Sequence, residues 1–177
     1  MKSLKEWAGV VRALGDGSQS ILLRKGGLLD TPSGFQIVSD KFLLFPTFEH
    51  QQSTFVKPQF SHYLDTTNPN EGKISITLCA KVVSHADITQ VQALAFSDFH
   101  IWSDEFVNMR AKWKPENLFK VLLLRVYRIT PVIIPYLPEY KGCRSWINIE
   151  NHFDDQIPII NDDSFNELYT KFVSLIP

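Results

Sequence analysis

Lys73-Ile74-Ser75-Ile76-Thr77-Leu78-Cys79-Ala80-Lys81-Val82 is the stretch on which the fold class turns. Ile74, Ile76, Leu78, Ala80 and Val82 fall on one side at a period of two, and Ser75, Thr77, Cys79 and Lys81 fall on the other. Strict alternation of this kind belongs to a half-buried strand. A partner lies downstream, where Val121, Leu123, Arg125, Tyr127 and Ile129 alternate with Leu122, Leu124, Val126 and Arg128. With apolar residues in both sets, that strand is expected to be covered on both faces.

Shorter strands are expected at residues 19–24, stopped by Gly26-Gly27, and from Gly34, or from Lys41, to Phe45, closed by Pro46 after the apolar run Phe42-Leu43-Leu44-Phe45. A last one is expected at 145–149. Pro131, Pro135 and Pro138 mark an irregular or edge segment, because proline donates no ladder hydrogen bond.

Helices frame these strands. Leu4, Trp7, Ala8, Val11 and Leu14 share one face at helical spacing, with Ser3 and Glu6 as a capping box and Gly15-Asp16-Gly17 as the stop. Ser103-Asp104-Glu105 opens a helix carrying Phe106, Met109, Arg110 and Trp113. Phe165, Leu168, Tyr169, Phe172, Val173 and Ile176 form an amphipathic C-terminal helix behind Asp162-Asp163-Ser164. Strands do not alternate regularly with crossover helices. The expected class is therefore α+β, with a mixed or mostly antiparallel sheet or a small β-barrel, and helices packed at both ends of the chain.

Residues 1–177 read as one domain, with 44% hydrophobic residues and 13 phenylalanines to fill a core. The formal net charge of -1 supplies no global pull toward nucleic acid or an anionic membrane. Cys79 and Cys143 lack zinc or redox spacing, and Cys79 sits in an apolar run as a reduced core thiol. No apolar run reaches the ~20 residues of a membrane helix. The first residues carry no apolar signal segment. The expected location is the cytoplasm, away from membranes.

Phosphate-binding glycine loops, dinucleotide fingerprints, nucleophile elbows and zinc-protease helices are missing from the sequence, and no cofactor is indicated. Three polar groupings remain. Gln19 leads to Arg24-Lys25-Gly26-Gly27, where two cations and two glycines at a strand end suit a phosphate. Directly after a buried strand, Phe45-Pro46-Thr47-Phe48-Glu49-His50-Gln51 places an acid, an imidazole and an amide together. There, Thr47 and Glu49 suit a helix start, while His50 and Gln51 suit a cleft. Last, His100 and Trp102 with Arg110 suit stacking on a planar ligand, although such a tryptophan more often fills a core. Asp65 and Glu71-x-Lys73 offer an alternative, a magnesium-dependent nuclease in which two carboxylates hold the metal and the lysine assists water. A third reading is a protein-interaction module with no ligand site.

Two resemblances add to this. Residues 13–27, Phe42-x-Leu44-Phe45-Pro46-Thr47-Phe48-Glu49-His50-Gln51 and His100-Ile101-Trp102 resemble a bacterial family known only as domain of unknown function 1802, over nearly the whole chain. That resemblance implies no activity. Gly17-x-Gln19-x-x-Leu22-x-Arg24 resembles the G-x-K-x-x-E-x-R signature of ASCH domains, which are PUA-like small barrels. Gln19 replaces the lysine, and Leu22 replaces a glutamate proposed to act in that family. The resemblance implies an RNA- or nucleotide-related binding barrel, and the lost glutamate puts catalysis in doubt; the leading expectation is a domain that binds nucleic acid or a nucleotide without chemistry. The expected ligand-binding residues are Gln19, Arg24, Lys25, His50, Gln51, His100, Trp102 and Arg110.

Overall fold

A computed structural model describes residues 1–26, 34–49, 51–64, 72–142, 144–150 and 156–176. Seven strands form one sheet among these residues: β1 (Lys2–Trp7), β2 (Ile21–Arg24), β3 (Lys41–Thr47), β4 (Lys73–Ile88), β5 (Phe119–Pro135), β6 (Trp146–Asn148) and β7 (Ile157–Pro158). The order is β2-β5-β4-β3-β1-β6, with β7 added to the free edge of β5. Only β1 and β3 run parallel among the paired strands, so the sheet is mixed and mostly antiparallel. It curls into a half-barrel. Helices α1 (Ala8–Asp16), α2 (Gln90–Ala95), α3 (Asp104–Lys112) and α4 (Asp162–Leu175) pack around it.

The long β4–β5 ladder is the frame, running from Lys73 opposite Pro135 to Ile88 opposite Phe119. Its register shifts between Ile76 and Leu78. A shift of one residue sends the following side chains to the other face. Leu78 and Ala80 accordingly join the larger core, whereas Ile74, Ile76 and Cys79 join a smaller one with Phe45, Ile134, Tyr140 and Ile147. The uninterrupted one-face pattern read from residues 74–82 is thus broken by a bulge. Pro131 and Pro135 lie inside β5, on a stretch that pairs with β4 alone among the named strands. An edge leaves the missing N–H groups without consequence.

At the N-terminus the expectation of a helix over residues 4–14 needs correction. Residues 2–7 are strand β1, laid parallel to β3 with Ser3 opposite Leu43 and Trp7 opposite Thr47. Helical spacing and a capping-box pattern are weak local preferences, and a pairing partner overrides them. Ser3 does not cap: its hydroxyl donates to the Leu43 carbonyl at 3.1 Å. The helix begins at Ala8 and ends where Gly17 takes a left-handed φ of 85°. The described Glu49, Gln51 and Gln52 likewise lie in no α-helix. Short 3-10 turns follow instead, at Ser53–Phe55 and Pro58–Leu64.

The remaining helices form where their caps stand. Ser103 Oγ accepts the Phe106 N–H, and Asn161 Oδ1 accepts the Ser164 N–H. Asp162 and Asp163 then occupy the favourable first turn of α4. That helix docks through Phe172, fully buried between Phe96 and Phe99.

Candidate functional site

The two ends of the strand order meet through side chains. Arg24 is the last residue of β2, and Glu6 is near the end of β1, four places along the sheet order. Curling brings Arg24 Nη1 to 2.9 Å from Glu6 Oε2, while Nη2 donates to Ser145 Oγ at 2.8 Å, just before β6. Glu6 is 7% exposed, and its other oxygen accepts the Trp7 N–H at 3.0 Å. The guanidinium also sits 5.0 Å from the centre of the Phe35 ring, which stacks on Trp146. A charged clasp thus closes the gap that backbone pairing leaves open.

Beside the clasp lies a cavity of about 320 Å³ lined by Lys5, Glu6, Trp7, Arg24, Lys25, Gly26, Glu49, Trp102, Arg110, Tyr136, Arg144 and Ser145, among others. Its cationic end is built by two reciprocal bonds. Lys25 Nζ donates to the Ala111 carbonyl at 2.7 Å, near the C-terminus of α3. Arg110 Nη2 donates back to the Gly26 carbonyl at 2.9 Å. Lys25 is 4% exposed and lies 5.1 Å from the Phe119 ring centre. Burial and the neighbouring Arg110 charge push its ammonium below the ordinary lysine range, with Glu116 pulling partly back. Gly26 holds a φ of 87°, and a Cβ there would stand 3.0 Å from the Gly34 Cα. Only glycine lets the chain turn so close to residue 34.

Part of the lining is aromatic. Trp102 stacks on Phe106 with centroids 3.9 Å apart and planes 12° from parallel. Trp7 meets Trp102 edge to face at 5.0 Å, and Phe55 meets Phe106 at 5.7 Å. On a third side, burial and the Glu49 carboxylate raise the Tyr136 phenol above its ordinary range. Lys5 reaches the rim and donates to the Tyr140 and Gly142 carbonyls, at 2.6 Å each. Among the described residues, five cations and two carboxylates therefore line a pocket with an indole wall.

Of the residues expected to bind a ligand, Arg24, Lys25, Trp102 and Arg110 come together here. Gln19 does not: it is 1% exposed, donates to the Ile21 carbonyl and accepts the Ile101 N–H. Gln51 Oε1 accepts the Gly9 N–H at 2.9 Å, satisfying the first turn of α1 in place of a capping residue. His100 is 2% exposed, and its Nδ1 accepts the Trp102 N–H at 3.1 Å. Burial and the nearby Lys57 ammonium depress its pKa to about 3, so the ring is neutral at pH 7. The Nε2 of His100 has no hydrogen-bond partner among the described residues. His50 lies outside the described residues, as do Asp65, Glu71 and Cys143.

Sequence reading passed over Glu6, Trp7, Lys5, Arg144 and Ser145. The first three sit in the segment read as helix, where their convergence on Arg24 has no local signature. The last two follow the proline-rich stretch, and only the curl of the sheet carries them to the site.

Comparison with known proteins places the chain in a family. The profile described as "Domain of unknown function (DUF1802)" matches residues 3–171. The chain belongs to this family. No curated protein matches it in sequence. Among solved structures, the DUF1802 chain is similar to ASCH from Zymomonas mobilis, at 11% identity, over 96% of this chain and 93% of that one, with a TM-score of 0.50. It is also similar to a mutant of the same protein, at 10% identity, over 96% and 94% of the two chains, with a TM-score of 0.51. At such identities the likeness shows the fold, an ASCH-type PUA-like barrel. Gly17 and Arg24, the two matching positions of the eight-residue signature, fall at the end of α1 and at the cavity. No helix among the described residues is long and apolar enough to cross a membrane.

Proposed function

We propose that the cavity beside the Arg24–Glu6 clasp binds a nucleotide, or one residue of a single-stranded nucleic acid, without catalysing a reaction on it. The observation that carries this reading is the meeting of Arg24, Lys25, Arg110 and Arg144 with Trp7 and Trp102 around one space of about 320 Å³. Cations offer charge-assisted donors to phosphate, and aromatic side chains offer surface to a planar base. The volume lies at the low end of the range of small-ligand pockets, ~300–1,000 Å³. The ASCH-type fold supports the same reading, since the resemblance to those domains implies RNA- or nucleotide-related binding. A net charge of -1 fits a local pocket better than a broad basic face tracking many phosphates.

The test is a titration of the protein with mononucleotides and with short single-stranded RNA and DNA, repeated at several salt concentrations. Binding that weakens with salt, and weakens again in Arg144→Ala, is the expected outcome. Arg144 suits the test because it lines the cavity while exposed. Absence of binding by every nucleotide and oligonucleotide up to millimolar concentration rejects the reading.

A further inference from the structure

A second basic concavity lies outside the cavity of the clasp. It is an open groove of about 610 Å³ between the later part of α1, the 3-10 turn Pro58–Leu64 and the bulged middle of the β4–β5 ladder. Arg12, His62, Thr77 and Arg128 line it, together with the buried apolar Leu78 and Ile129. Thr77 sits in the bulge between Ile76 and Leu78 and is exposed. Arg12 is exposed too, and it makes none of the ion pairs formed among the described residues. Arg128 donates from Nη2 to the Gly15 carbonyl at 3.4 Å, which sets its guanidinium beside the end of α1. Among the described residues one carboxylate, Asp16, lines the groove. It accepts the Ser18 N–H at 2.9 Å and the Tyr63 hydroxyl. Two guanidiniums against one carboxylate leave this surface cationic on a chain whose net charge is -1.

Groove and cavity share two elements. Trp7, just before α1, lines the cavity, whereas Arg12 and Asp16 of that helix line the groove. Phe55, in the first 3-10 turn, lines the cavity, whereas His62 and Tyr63, in the second, line the groove. At a rise of 1.5 Å per residue, Trp7 and Asp16 stand about 14 Å apart along the axis of α1, a span that a few nucleotides cover. We propose that the Arg12–Arg128 groove is a second site, for backbone phosphate, so that the ligand is a single-stranded nucleic acid with one residue in the cavity and neighbouring phosphates in the groove. This rests on the nucleotide reading above and adds a site and a ligand class to it. A guanidinium matches phosphate oxygens with paired, charge-assisted donors. A threonine hydroxyl such as that of Thr77 is a common further donor to the backbone. Such contacts position a strand without reading its sequence. Two of them form a local contact, in keeping with the near-neutral chain.

The experiment titrates AMP and oligoadenylates, from the dimer to the hexamer, into the wild-type protein and into the Arg12→Ala, Arg128→Ala double variant, at several salt concentrations. Circular dichroism establishes folding. The hexamer is expected to bind wild type at least about a hundredfold tighter than AMP, as two charge-assisted contacts warrant. That exceeds what six equivalent residues give by number alone. In the double variant the gain falls by at least about tenfold, and the slope of log affinity against log salt falls by about 1.4, two single-strand phosphate contacts at ~0.7 each. AMP itself should bind both proteins alike, because neither arginine lines the cavity. A hexamer with no gain beyond number overturns the groove and leaves the nucleotide reading standing. A gain that survives in the folded double variant does the same. Poly-glutamate that displaces the hexamer as well as unlabelled hexamer does also overturns it, since the groove would then take any polyanion. If no nucleotide or oligonucleotide binds, both readings fall together. Should the double variant not fold, Arg12→Glu on the exposed side of α1 replaces it, with the same loss expected and an undiminished gain again overturning the groove.

Discussion

His100 shows how a side chain with a functional reputation is put to structural use. Its ring is buried, its Nδ1 serves the Trp102 N–H, and its pKa is depressed to about 3. An unfolded chain holds the same imidazole at the ordinary 6.5. Between those two values the unfolded state binds the extra proton, so stability is full above pH 6.5 and is lost as pH falls below it. From pH 7.5 to pH 5 this residue alone costs about 2 kcal/mol. Urea denaturation at the two pH values checks it: His100→Asn, which keeps an acceptor for the Trp102 N–H, should remove about that much of the dependence. An unchanged pH dependence would show that the ring is not buried neutral. Residue identity was a poor guide here, whereas Arg24 and Lys25 do line the cavity. Adjacent cations followed by glycine imply a turn that presents charge, and the left-handed Gly26 supplies it.

Elements were legible where period and caps agreed. The strand over residues 73–82, the Ser103-capped α3 and the amphipathic α4 all stand where the pattern places them. Residues 2–7 were not legible, because a strand laid beside β3 and a helical first turn make similar local demands on six residues. The pairing that decides between them, Ser3 with Leu43, is forty positions away. The bulge after Ile76 was hidden for the same reason, since it depends on the partner strand. Helix α1 carries the consequence of its late start: Trp7 cannot cap it, and Gln51 reaches in from residue 42 positions on to accept the Gly9 N–H. Replacing Gln51 with alanine should therefore lower stability by about 1 kcal/mol, as loss of a cap does. Gln51→Glu, which keeps the acceptor, should restore most of it in a denaturation series. Equal stability of all three proteins would mean that the bond contributes nothing.

Over the whole molecule, the sheet curls without closing, and side chains finish the work. Arg24 spans from the β2 end to Glu6 and Ser145, Phe35 packs on Trp146, and the cavity opens beside them. Barrels avoid exposed edges by closing their ladders. Here an ion pair with both partners largely buried substitutes for ladder bonds. Removing one partner leaves the other charge buried, so Glu6→Gln should cost about 3 kcal/mol in chemical denaturation. A loss below about 1 kcal/mol would place the pair with ordinary surface bridges. Because the clasp also forms the cavity wall, fold and site are joined at these residues. That explains why Arg24, Lys25, Trp102 and Arg110 could be named from the sequence as candidates while Lys5, Glu6, Arg144 and Ser145 could not.

If this one cavity takes the nucleotide, the four tryptophans report it directly. Trp7 and Trp102 line the cavity, while Trp113 and Trp146 do not. The measurement is a two-dimensional ¹⁵N–¹H NMR titration that follows the four indole signals as AMP is added. Saturable shifts of Trp7 and Trp102, with Trp113 and Trp146 still in place, are the predicted result. Shifts confined to Trp113 or Trp146, or no shift at all up to millimolar AMP, would mean that the nucleotide does not enter this cavity.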